Sequence, residues 1–304
     1  MKQLKQLAIF LACLALCPAA ASADCQLSFD GQIAQQPLTY NPFQAGAATA
    51  TISFTIKNAA SKPCMAAFSL FKLGSPQANS SGASLAYRIL GVTGGSITQS
   101  AASPPDTLNT IDSAALIMLA ANASITANAT LSVPSGQVIG PGTYTDLLIL
   151  GVYQSPSGRA PYTKAFEAPL NISINVHSQV TLAVAGGGRY TTLDFGNLVE
   201  GAVRSVQLWA YANQGFHLSV SSENAGVMKP INPLARAEGW RVPYTIAIFH
   251  TPPIDLAQQQ LSLWPNATKR TGLSIPEDVR AGSTKGQRAG MYRDVITIAV
   301  DPGP

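Results

Sequence analysis

"GTYTDLLILGVY", Gly142 to Tyr153, and "GMYRDVITIAV", Gly290 to Val300, decide how this chain is read. Each opens Gly-x-Tyr-x-Asp and runs into Leu, Ile and Val, the composition of a strand that faces a core. The copies start 148 residues apart. A second match points the same way: "YNPFQAGAATATISFTIKN" (Tyr40 to Asn58) aligns without gaps to "FGNLVEGAVRSVQLWAYAN" (Phe195 to Asn213) at an offset of 155. It pairs Tyr40 with Phe195, Phe43 with Leu198, Gly46 with Gly201, Phe54 with Trp209, Ile56 with Tyr211 and Asn58 with Asn213. Two matches in the same order signal a duplicated unit, with seven residues of loop length between the copies.

The remaining periodicity is that of strands. "ATISFTIKN", "ATLSVPS", "PLNISINV", "QVTLAVAG", "FHLSVSS" and "VPYTIAIF" alternate apolar and polar residues and are rich in Val, Ile, Thr and aromatics. Gly and Pro clusters such as "VIGPGTY" and "FHTPPID" separate them. "DSAALIMLAANA" (Asp112 to Ala123) has helix-forming composition but no flanking amphipathic pattern. The chain is therefore read as all-β, and long strands joined by loops suggest two Greek-key sandwiches. The expected divisions are 1–23, 24–177 and 178–304, with Ala185 to Gly188 either a linker or an early turn of the second unit.

The two opening copies differ in their sequels. After the first, the chain continues to "APLNISINV", whose Leu170, Ile172, Ile174 and Val176 share one face. After the second there is only "DPGP". The expectation is a first sandwich that supplies its own last strand and a second that lacks one. An open edge of this kind is a liability that a partner's strand relieves.

Residues 1–23 combine two lysines, an apolar run from Leu7 to Leu16 and a small-residue end at Ala21-Ser22-Ala23, the order of a secretory signal. Cleavage after Ala23 leaves Cys25 and Cys64, and two cysteines in an oxidising compartment most simply form one disulfide. Only 11% of residues are charged and the net charge is +4, with Lys and Arg scattered, so no face for nucleic acid is expected. Nothing points to an enzyme. His177, His217 and His250 are far apart, and there is no H-E-x-x-H, C-x-x-C, G-x-S-x-G or phosphate loop. No cofactor or metal is expected. Tyr144 with Asp146 and Tyr292 with Asp294 read as structural, the tyrosines anchored by their hydroxyls as in the tyrosine corners of sandwich domains.

Cys25 near the start of the exported chain, Tyr40-Asn41-Pro42-Phe43, "VPYTIAIF", "WAYANQGFHLSVSSENAGVMKP" and the terminal "AGMYRDVITIAV" together resemble the spore coat U domain family. The resemblance covers most of the exported chain and is clearest in its second half. Within the family it is similar to two-domain tip subunits of archaic chaperone-usher pili. The resemblance implies immunoglobulin-like sandwiches, the C-terminal one lacking its last strand. It also implies a periplasmic chaperone, an outer-membrane usher and an adjacent subunit that donates a strand as partners. Tyr292, Ile296, Ile298 and Val300 would then border the acceptor groove.

A donating subunit needs roughly ten extended residues ahead of its first strand, at ~3.3 Å each. Asp24 alone precedes Cys25, so the expectation is a subunit that accepts a strand and caps the fibre at the cell surface. The implied task is attachment to an abiotic or host surface, and biofilm formation. Within the same fold the alternative is a polymerising pilus or coat subunit, and from another class a secreted carbohydrate-binding module. Leu116, Ile117, Met118 and Leu119 have two readings. As an exposed loop tip they would offer an apolar adhesive contact, and as a strand or short helix they would belong to the core.

Overall fold

The computed structural model describes residues 25–91, 94–111, 115–249, 251–257 and 261–303. The expected signal segment, Asp24, Asp112, Ser113 and His250 lie outside the described residues. The first set of strands is β1 (Leu27–Phe29), β2 (Ala34–Gln35), β3 (Leu38–Tyr40), β4 (Ala48–Asn58), β5 (Cys64–Phe71), β6 (Gln77–Ser80) and β7 (Ala83–Ala86). It continues with β8 (Arg88–Leu90), β9 (Thr98–Gln99), β10 (Thr107–Leu108), β11 (Leu116–Leu119), β12 (Ser124–Val133), β13 (Gly142–Ser155) and β14 (Tyr162–Val176). The second set is β15 (Val180–Val184), β16 (Val203–Ala212), β17 (Phe216–Ser222), β18 (Val227–Pro230), β19 (Val242–Ile248), β20 (Leu261–Leu263), β21 (Leu273–Ala281), β22 (Tyr292–Arg293) and β23 (Ile296–Pro302). One short helix, α1 (Pro233–Ala237), is capped by the Asn232 side chain, which accepts from the Leu234 amide.

No ladder joins the two sets among the described residues. In the first, a sheet ordered β1-β4-β12-β8 faces one ordered β10-β14-β13-β5-β11. Their alternating inward residues form one core, with Ile52, Phe54 and Ile56 of β4 against Phe68 and Leu70 of β5 and Leu148 and Leu150 of β13. Phe54 and Phe68 meet edge to face at 5.1 Å. Cys25 and Cys64 are joined, Cα atoms 5.5 Å apart, tying the first segment to β5. Closing a loop of 39 residues contributes about 3–4 kcal/mol in the chain-entropy picture. In the second set the sheets are β15-β16-β21-β19-β18-β22 and β20-β17-β23. The protein is therefore an all-β pair of sandwiches.

One detail of the sequence alignment does not hold. Inward residues of β4 (Ala50, Ile52, Phe54, Ile56) and of β16 (Val206, Leu208, Ala210, Ala212) all carry even numbers. An odd offset therefore places Phe54 and Ile56 opposite the outward-facing Trp209 and Tyr211, because side chains alternate faces every residue. The offset does hold for Leu38 and Tyr40 against Leu193 and Phe195, both of which pack on the second core. It also holds at Gly46 and Gly201, which share a left-handed backbone (φ 86° and 79°).

The sandwiches meet end to end. Asn213, buried, donates to the Ile139 carbonyl (3.1 Å) and the His177 carbonyl (2.9 Å) and accepts from the Gln179 amide (2.8 Å). Phe43 and Tyr211 pack edge to face across the same junction. Ala185 to Gly188 is the turn after β15, closed by the Val184 amide donating to the Gly188 carbonyl.

Candidate acceptor groove

The duplication provides an internal control for what the second sandwich lacks. In the first, β14 runs antiparallel to β13, with Ile174 opposite Tyr144, Ile172 opposite Asp146 and Leu170 opposite Leu148. Its other edge runs parallel to β3, with Ile174 opposite Leu38 and Val176 opposite Tyr40. Under β14 the core is sealed: Leu148, Leu150 and Val152 are at most 1% exposed, and Leu38 and Tyr40 are buried.

At the 148-residue offset, Leu148, Leu150 and Val152 become Ile296, Ile298 and Val300. Among the described residues β23 pairs with β17 on one edge and with nothing on the other. Ile296, Ile298 and Val300 are only half-buried, with Thr297 and Ala299 outward between them. Leu193 and Phe195, the counterparts of Leu38 and Tyr40, are half-buried too and form no ladder. The first core holds 30 buried apolar residues against 10 partly buried ones, and the second holds 16 against 16, among the described residues. The deficit marks a second core less sealed than the first, along a strand, β23, whose outer edge no ladder pairs among the described residues.

The Tyr-x-Asp motif positions the strand that carries this edge. Tyr144 Oη donates to the Gly140 carbonyl (2.9 Å) and Tyr292 Oη to the Arg288 carbonyl (2.7 Å), four residues back in both halves. These bonds fix the turn into β13 and into β22. The aspartates have a task that sequence reasoning missed: each accepts from a buried tyrosine of another strand or strand edge. Tyr87 Oη meets Asp146 Oδ2 at 2.5 Å, and Tyr244 Oη meets Asp294 Oδ2 at 2.6 Å. Burial, then the aspartate bond, pushes both phenols up. Lys72 completes the site at Asp146, whereas Ser222 and Asn224 take that place at Asp294. The signal was present in the sequence as Tyr-x-Ile in "AYRIL" and "PYTIA".

Glu277, which no sequence pattern flagged, sits on the inward face of β21 with Val206 and Ile248 beside it in the ladders. It is 3% exposed. Burial, with a smaller contribution from the Asp278 charge, raises its carboxyl to about 7.

The loop reading of Leu116–Leu119 is corrected. The run is strand β11, paired antiparallel with Cys64–Ala67 of β5. Alternation turns Ile117 and Leu119 into the core, and Leu116 packs over Ala67, Phe71, Tyr153 and Tyr162 on the outer face. Met118 alone of the four stands exposed, at 57%. Met118→Ser is therefore expected to change stability by less than about 0.5 kcal/mol. Leu119→Ser, which puts a hydroxyl into a sealed core, is expected to cost about 2–4 kcal/mol. Urea unfolding of the two variants checks both values. "QANSSGASLAY" (Gln77 to Tyr87) is a hairpin of β6 and β7 with left-handed Ser81 and Gly82 at its tip, the demand of a type I′ turn. Asn79 pairs with Thr145, which places the tip toward the Gly142 end of β13.

No family model matches the chain, and no curated protein matches it. Among solved structures it is similar to the chaperone–tip adhesion subunit pre-assembly complex of archaic Csu pili of Acinetobacter baumannii, at 13% identity over 89% of this chain and 92% of that one (TM-score 0.44). It is also similar to the CupB6 tip adhesin from Pseudomonas aeruginosa, at 11% identity over 90% and 93% (TM-score 0.41). A further likeness is to CfaE, the adhesive subunit of CFA/I fimbria of enterotoxigenic Escherichia coli, at 12% identity over 92% and 82% (TM-score 0.36).

Proposed function

We propose that the chain is an adhesive subunit of a chaperone-usher fibre, in which residues 24–177 form a complete sandwich and residues 178–304 form one that takes its last strand from a partner. The observation that carries this reading is the half-burial of Ile296, Ile298 and Val300, set against the full burial of Leu148, Leu150 and Val152 beneath β14. A strand laid along β23 pairs its open edge and seals the second core, the physical basis of β-augmentation. The setting is the one the family resemblance implies. A periplasmic chaperone holds the groove first, an outer-membrane usher exchanges it for a strand of the adjacent subunit, and the first sandwich is displayed at the cell surface. Its role there is attachment to a surface and support of biofilm. The reading assigns no catalytic step.

Co-expression with a periplasmic pilus chaperone tests it. The chain should co-purify as a one-to-one complex and should aggregate or be degraded without the chaperone. A second sandwich that is monomeric, stable and free of chaperone would overturn the reading.

A further inference from the structure

The end of the second sandwich remote from the junction is a concentrated basic surface. Lys229 of β18 and Arg293 of β22 are paired directly opposite each other. Like charges at such a position destabilise a sheet. The fold does not demand them, because Thr145, which the 148-residue offset aligns with Arg293, pairs with the neutral Asn79. Arg236 of α1 donates to the Pro230 carbonyl, and Arg288 lies 3.3 Å from Glu238, so both stand at the same edge. Two of the three carboxylates here are engaged, and Glu223, whose amide donates to the Val295 carbonyl, is the third. Glu238 also accepts from Trp240 Nε1, and Asp294 is held by Tyr244, Ser222 and Asn224.

Within this basic rim two large apolar side chains project into solvent, Leu234 at 77% and Met291 at 76% exposed. They are neighbours, because Ile231 donates its amide to the Met291 carbonyl and α1 starts two residues later. A polyanion gains nothing from exposed Leu and Met. A protein face gains from both parts, with an apolar anchor at the centre and opposite charge around it.

We propose that this surface docks the adjacent subunit that donates the strand, and that this partner meets it with an acidic face carrying an apolar side chain. The inference rests on the groove reading. The direction of the strand supports it: in the first sandwich Val176, the end of β14, lies opposite Gly142, and the counterpart of Gly142 is Gly290, next to Met291. The C-terminal end of a strand bound in the same sense therefore emerges at the basic surface.

The test uses the full chain and two labelled peptides. Both carry the sequence of Ala168–Val176; one ends in Ser-Gly-Ser-Leu and the other in Asp-Glu-Asp-Leu. In about 20 mM salt the acidic tail should tighten binding at least tenfold over the neutral one, and the gain should shrink to within about twofold in ~0.5 M salt. Arg236→Glu combined with Arg288→Glu should abolish the gain while leaving the neutral peptide unaffected. A second variant, Lys229→Asn with Arg293→Thr, places the neutral pair of the first sandwich at the same rung and should reduce the gain without loss of folding. Equal binding of the two peptides, or a gain that survives both variants, overturns this inference and leaves the groove standing. Failure of both peptides to bind overturns the groove reading, and this inference with it.

Discussion

A copy of Ala168–Val176 joined behind Gly303 is expected to raise the melting temperature of the second sandwich by about 10–20 °C. β23 ends at Pro302 near the junction, and an antiparallel strand must start there, so a hairpin link of six residues suffices, as between Ser155 and Tyr162. The four side chains that gain burial, Leu170, Ile172, Ile174 and Val176, are at most 3% exposed in the first sandwich. Full burial of each such side chain is worth about 1.5–3 kcal/mol, offset by the entropy of ordering the graft. The half-buried Ile296, Ile298 and Val300 of β23 add to the gain. Calorimetry reads the shift. Replacing the grafted counterparts of Ile172 and Ile174 with Ser should cancel most of it. A graft that stays protease-sensitive and leaves the transition unmoved would show that this edge does not accept a strand.

Glu277→Gln is expected to stabilise the second sandwich above neutral pH and to flatten its pH dependence. The folded carboxyl titrates near 7 against an ordinary value of 4.5. The folded state thus holds the proton more tightly than the unfolded chain. The stability contribution is fully present below about pH 4.5 and is lost as pH rises through 7. Across that window the loss amounts to about 3 kcal/mol, at 1.36 kcal/mol for each unit of difference. Urea unfolding at pH 5 and pH 8 should show a large difference in the parent chain and a small one in Glu277→Gln. Identical slopes in the two proteins would mean that the carboxyl is solvated in the folded state.

Strands that alternate cleanly were legible in the sequence: "ATISFTIKN" lies in β4, "FHLSVSS" is β17 and "VPYTIAI" is β19. Others were hidden for physical reasons. β5 is buried at seven of its eight positions and so shows no alternation. β21 carries Pro276 in mid-strand between β16 and β19, together with Glu277, Asp278 and Arg280, a composition that argues against a central strand. The repeated Gly-x-Tyr-x-Asp announced the duplication, yet the gapless match through "SFTIKN" and "LWAYAN" ran one residue out of phase. Composition alone does not mark which face of a strand is wet. The inward set of β23 was legible because Ile296, Ile298 and Val300 alternate with polar or small residues. The half-buried Leu193 and Phe195 were not legible, because two inward side chains flanking Asp194 carry no pattern until the fold sets them on the second core as Leu38 and Tyr40 are set on the first.

The adhesive-subunit reading depends above all on one edge: the outer side of β23 must be unpaired and able to take a strand. Amide hydrogen exchange across Tyr292–Pro302 in the full chain probes that edge residue by residue, with and without a peptide of the Ala168–Val176 sequence. Fast exchange is expected at those amides of β23 that do not bond β17, and protection of the same amides once the peptide is added. Uniform protection of β23 in the chain alone, unchanged by the peptide, would refute the open edge and the groove with it.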